Sequence, residues 1–180
     1  MPPESAAVHR LTVLADHYQF YVQDFHAHVQ WERSHWADPS LAPGGWTKEA
    51  VHVHRIGVEP YSIAVGTARN DVVATTLCFH PAEPQTRVED AEHVVEADLD
   101  LPSGDMVIYG PADDPGRDQH ISIARGRYRV RVSYVPTRPP TSGSSDTGYG
   151  DYFIYLVDLW PTSKPGALAV LKQGPSPWAG

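Results

Sequence analysis

Short runs rich in valine, isoleucine, tyrosine and threonine recur along this chain, separated by clusters of proline, glycine and aspartate. No long window repeats its apolar residues at the 3.6-residue period of a helix, so helices should be few or absent. Strands are expected near residues 11–14, 18–23, 51–56, 62–67, 72–79, 94–100, 105–109, 120–124, 128–135 and 152–160. So many short strands with short links predict an all-β domain, an antiparallel β-sandwich of jelly-roll type, with a closed barrel as the neighbouring architecture. Residues 1–160 are assigned to one domain, and the Pro/Gly-rich residues 161–180 to a partly disordered tail that Trp178 could dock.

Two stretches break the strand rhythm. Residues 31–46, WERSHWADPSLAPGGW, read as a long connection carrying Trp31, Trp36 and Trp46, and residues 136–150, PTRPPTSGSSDTGYG, as a mobile loop. Tryptophans in a polar connection either cap the end of a sandwich or serve as platforms for a sugar or a protein partner. Tyr149 and Asp151, where the second stretch closes, are candidates for recognition on the same grounds.

Charge adds a second constraint. The net charge is −8 in 180 residues, and the acidity is regional: from Glu83 to Asp118 there are eleven acidic residues against Arg87 and Arg117. Such a surface repels phosphate, which argues against direct nucleic-acid binding and favours a basic protein partner. Cys78 is the single cysteine, so no intrachain disulfide can form, and its TTLCFH setting reads as a small buried hydrophobe. The N-terminal MPPESAAVHR lacks a basic segment followed by an apolar one, and no apolar span is long enough for a membrane helix. The expected location is the cytoplasm, as a monomer or weak dimer.

Two of the expected strands complement each other. In VVEADLDL, Glu96, Asp98 and Asp100 share one face, with Val95, Ala97, Leu99 and Leu101 on the other. In RGRYRVRVSY, Arg125, Arg127, Arg129 and Arg131 lie opposite Tyr128, Val130 and Val132. A cross-strand ladder would join the two charged rows at roughly 0.2–1 kcal/mol per pair; otherwise the arginine stripe stays open to an anion.

Chemistry-bearing motifs are sparse. The sequence has no GxSxG elbow and no glycine-rich phosphate loop, and no cofactor is expected. His52, His54 and Glu59, followed by Gly66, form HxHx4Ex6G, which resembles the first signature of metal-binding cupins; residues 115–120, PGRDQH, resemble the second only loosely. On a strand, His52 and His54 would share a face and suit a metal if a third ligand converged. The main assignment is no metal, with this trio as the alternative.

Several segments carry a wider likeness. LTVLADHYQFYVQD, GGWTKEAVHVH, VEADLDLPSGDMVIY, and ISIARGRYRVRVSY followed by a loop and DYFIYLVDLWP resemble the competence protein J (ComJ) family over most of residues 10–161. The best-known member of that family inhibits a DNA-entry nuclease. What the resemblance implies is a non-enzymatic binding protein whose acidic surface occupies the basic groove of a nuclease. Asp90 and Glu92, with Asp113 and Asp114, are the candidates for that surface, joined by Tyr149 and Asp151. A carbohydrate- or small-ligand-binding sandwich using the tryptophans is the alternative, beside the cupin-like metal protein.

Overall fold

The computed structural model of the protein describes residues 7–116, 119–137 and 153–174. Strands β1 (Ala7–Leu14), β5 (Val72–Phe79), β6 (His93–Leu101), β9 (Gly126–Pro136), β10 (Phe153–Pro161) and β11 (Ala169–Lys172) form a six-stranded sheet in the order β1-β5-β10-β9-β6-β11. Strands β2 (Gln19–Asp24), β3 (Ile56–Glu59), β4 (Ser62–Gly66), β7 (Asp105–Tyr109) and β8 (His120–Ser122) form a five-stranded sheet in the order β3-β4-β2-β7-β8. Helix α1 (Phe25–His35) follows β2.

Period-2 alternation builds the core between the sheets. Val95, Ala97, Leu99 and Leu101 of β6 and Tyr128, Val130, Val132 and Tyr134 of β9 are buried together with Phe20, Val22, Ile63, Val65, Met106 and Ile108 from the second sheet. Each large apolar side chain removed from water here contributes about 1.5–3 kcal/mol before entropy is charged against it. The buried phenols are satisfied: Tyr134 Oη donates to the Arg55 carbonyl at 2.8 Å, and Tyr155 Oη accepts from the Ala68 N–H at 3.0 Å. His93, fully buried, donates from Nε2 to the His54 carbonyl at 2.9 Å, and burial pushes its pKa down to about 4, so the ring is neutral at pH 7.

Three expectations are corrected. The first concerns an all-antiparallel sandwich: β10 runs parallel to β5, with Ile154 opposite Ala74 and Leu159 opposite Phe79. Parallel neighbours need a long crossover, which the chain supplies by passing through β6 to β9 before returning. The second concerns the long connection at 31–46, which begins inside α1. Asp24 caps that helix by accepting from the Ala27 N–H at 2.9 Å, and no apolar stripe announces it because its one buried residue is His28. The third concerns the expected strand at 51–56. Ala50–His54 is instead a π-helical turn, closed by the Arg55 N–H donating to the Ala50 carbonyl at 2.7 Å, with Arg55 in the left-handed region at φ 59°. Within the C-terminal segment, β11 pairs with β6, and Lys172 Nζ donates to the carbonyls of Val88 and Ala91.

Candidate functional site

Neighbouring strands β6 and β9 bring the two charged rows into register: Glu96 faces Arg131, Asp98 faces Arg129 and Asp100 faces Arg127. Arg131 Nε meets Glu96 Oε1 at 2.7 Å, Arg129 Nη1 meets Asp98 Oδ1 at 3.0 Å, and Arg127 Nε meets Asp100 Oδ1 at 2.9 Å. The ladder deepens along its length: the Arg131 and Glu96 side chains are 3% and 11% exposed, those of Arg127 and Asp100 36% and 47%. Arg131 also lies 4.9 Å from the Trp160 ring centroid and donates to the Pro84 carbonyl. These three arginines are therefore occupied and offer no free stripe for an anion.

The acidic candidates gather at one end of the molecule. There β1 ends at Leu14 opposite the start of β5 at Val72, and β6 begins at His93 opposite Tyr134 near the end of β9. Asp90 and Glu92 immediately precede β6. Asp113 and Asp114 follow Gly110, whose backbone lies against that of Leu14. Strand β6, which carries the first flank, and β1, whose end Gly110 abuts, are four strand positions apart in the sheet order, roughly 19 Å. Asp90 is exposed and Arg87 approaches it at 4.0 Å; Asp113 accepts from Gln119 Nε2 at 3.0 Å, and Asp114 is exposed. Tyr149 and Asp151 lie outside the described residues.

On the outer face of the five-stranded sheet the structure holds a cavity of about 500 Å³. Alternate residues of β2, Gln19, Tyr21 and Gln23, form its floor with Tyr109 of β7. Tyr21 and Tyr109 meet edge to face at 5.5 Å, while Gln23 Nε2 donates to Tyr109 Oη at 2.8 Å and Ser62 Oγ donates to Gln23 Oε1 at 3.0 Å. Helix α1 supplies one wall, where Trp31 stacks between His28 at 5.6 Å and His35 at 5.0 Å. The connection after it supplies the rest: Trp36, 83% exposed, stands at the mouth, and Trp46 Nε1 donates to Gln19 Oε1 at 2.6 Å. All three tryptophans of the long connection thus line one site.

Glu59 reaches this cavity from β3. Burial raises its pKa, and the nearby His28 together with the N–H groups of Gly44 and Gly45 partly offset that rise. His28 Nδ1 lies 3.0 Å from the Pro60 carbonyl, which can only accept, so Nδ1 carries the proton. Its Nε2, 3.6 Å from Glu59 Oε2, balances the carboxylate only when protonated as well. Burial also lifts the Tyr21 phenol to about 12, with Tyr109, Glu59 and Glu32 adding to the rise.

The cupin-like trio does not assemble. On the π-helical turn His52 and His54 project to nearly opposite sides rather than sharing a face: His52 is exposed, and His54 Nε2 approaches Glu49 at 3.6 Å. Glu59 faces His28 instead. Elsewhere, Cys78, His80 and Asp158 bring one ligand atom each within 4.8 Å of one another, with His80 Nε2 at 2.6 Å from Asp158 Oδ1. Burial and then Asp158 raise the Cys78 thiol, which keeps it out of the reactive thiolate form.

The sequence marks the tryptophans but not the floor beneath them. The available signal is the alternation of Gln19, Tyr21 and Gln23 against Phe20 and Val22, which places polar and aromatic groups together on the solvent side of β2.

No protein-family model matches this chain. No curated protein matches it in sequence. Among solved structures, ComJ from Bacillus subtilis, described as an inhibitor of the DNA-degrading activity of NucA, superposes with a TM-score of 0.58 at 15% identity, covering 88% of this chain and all of that one. A protein described as crocagin biosynthetic gene J superposes with a TM-score of 0.56 at 15% identity, covering 88% of this chain and 99% of that one. The chain has a ComJ-like fold.

Proposed function

We propose that this protein is a non-enzymatic binding protein that inhibits a nuclease by presenting its acidic end to the enzyme's basic groove. The observation that carries the reading is the fold shared with ComJ, described as an inhibitor of NucA, over 88% of the chain. Electrostatics supports it. A DNA-cutting enzyme holds a phosphate backbone on basic side chains, and carboxylates spaced along one protein end imitate that charge. Asp90, Glu92, Asp113 and Asp114 border the same end from two edges.

Exposed interface charges act chiefly on encounter rate and salt dependence. Replacing Asp113 and Asp114 together by lysine should lower affinity for the cognate nuclease by about tenfold or more at low salt. The defect should shrink as ionic strength rises, since screening already weakens the wild-type attraction. The assay is titration calorimetry of both proteins against the nuclease at two salt concentrations. An unchanged affinity at low salt would remove this loop from the interface, and a loss equal at both salts would point to misfolding of the loop instead.

A further inference from the structure

We infer that the aromatic cavity between α1 and the five-stranded sheet is a seat for an organic cation, and specifically for an arginine side chain of the protein partner. The inference rests on the nuclease-inhibitor reading for the identity of that partner. Three features of the cavity favour a cation over a neutral or anionic guest. Its lining contains Glu32, Asp38 and Glu59 but, among the described residues, no lysine or arginine. Its aromatic surface is extensive, with Tyr21 and Tyr109 on the floor, Trp31 in the wall between His28 and His35, and Trp36 bordering the mouth. A guanidinium gains from ring faces and carboxylates at once, and both gains grow where water is excluded.

Glu59 provides the third feature. It is a partly desolvated carboxylate whose one ion-pairing partner among the described residues is the imidazole of His28 at 3.6 Å. An incoming guanidinium would compensate that charge directly and donate to the carboxylate oxygens of Glu59. Position fits the same partner: Tyr109 on the cavity floor ends β7, and Asp113 and Asp114 follow in the next loop. A basic protein lying along the acidic end thus reaches the cavity from that side, with one arginine as a buried anchor inside a rim of weaker charge contacts.

The test uses the full chain and small probes. N-acetylarginine amide is titrated against it beside N-acetylcitrulline amide, which replaces the guanidinium by a neutral urea of similar shape. Agmatine and cellobiose are run in parallel. The readouts are tryptophan fluorescence and amide chemical shifts. Saturable binding of the arginine probe, weakened about tenfold for citrulline, is expected, because one charge-assisted contact is worth about that factor. Glu59→Gln should reduce arginine binding to the citrulline level and leave citrulline binding unchanged. Equal binding of both probes, saturable binding of cellobiose alone, or no saturation with any cation would overturn the cation assignment. Agmatine binding far more tightly than the amino-acid amide would overturn the protein source in favour of a free amine. Since no nuclease is present, failure of the inhibitor reading leaves this titration intact, and failure here leaves the acidic end untouched.

Discussion

Replacing Arg131 by alanine is expected to lower the unfolding free energy by about 3–5 kcal/mol, the cost of breaking a buried ion pair from one side. Arg131 is 2% exposed, and its Nε bonds Glu96 Oε1 at 2.7 Å. The truncation would strip Glu96, itself 8% exposed, of one partner, orphan the Pro84 carbonyl and remove the cation from the Trp160 ring. Arg129 Nε, at 3.2 Å from Glu96 Oε2, keeps the carboxylate from being wholly unpaired and places the loss toward the lower end. The same truncation at Arg127 should cost far less, because that rung is solvent-screened. Urea denaturation of the two variants gives the comparison. Equal losses would mean that the burial gradient along the ladder does not set its energy.

Asp24→Ala should destabilise by roughly 4 kcal/mol, since a buried charged acceptor contributes about 1.5–3 kcal/mol per bond and the losses overlap. Asp24 is fully buried at the junction of β2 and α1. Its Oδ1 accepts from the Ala27 N–H at 2.9 Å and from Ser103 Oγ at 2.8 Å, while Oδ2 accepts from the Ser103 N–H at 2.7 Å. One carboxylate therefore starts the helix and ties it to the turn between β6 and β7. Beyond the global loss, the helix should fray at its start and release Trp31 from the cavity wall, seen as a red shift of tryptophan emission below the unfolding transition. A loss with no such shift would mean that packing of His28 and Trp31, not the cap, holds the helix in place.

These two side chains show what sequence reveals here. The β6–β9 ladder is legible because a period-2 pattern puts opposite charges in rows on two strands, and those two rows do pair, at Glu96, Asp98 and Asp100. Its depth is not legible: pairing predicts modest, exposed rungs, whereas burial of the Arg131 end depends on Trp160 and residues 83–84, which are distant in sequence. Helix α1 escapes notice because its buried face consists of His28 rather than an apolar stripe, so tertiary contacts with Pro60 and Glu59 decide it. The His52 and His54 motif misleads for a related reason. A strand and a helical turn can share the residues VHVH, and Thr47 Oγ1, accepting from the Ala50 N–H at 3.1 Å, selects the turn. The cavity is half legible: its tryptophans stand out in the sequence, while the tyrosines beneath them look like ordinary strand residues.

Nuclease inhibition is measured most directly as DNA degradation by nuclease fractions from the source organism, with the purified full chain added in increasing amounts at low and at high salt. One basic nuclease fraction should be silenced at low salt as the protein approaches equimolar amount, and activity should return at high salt. Undiminished DNA degradation in every fraction at both salt concentrations would contradict it.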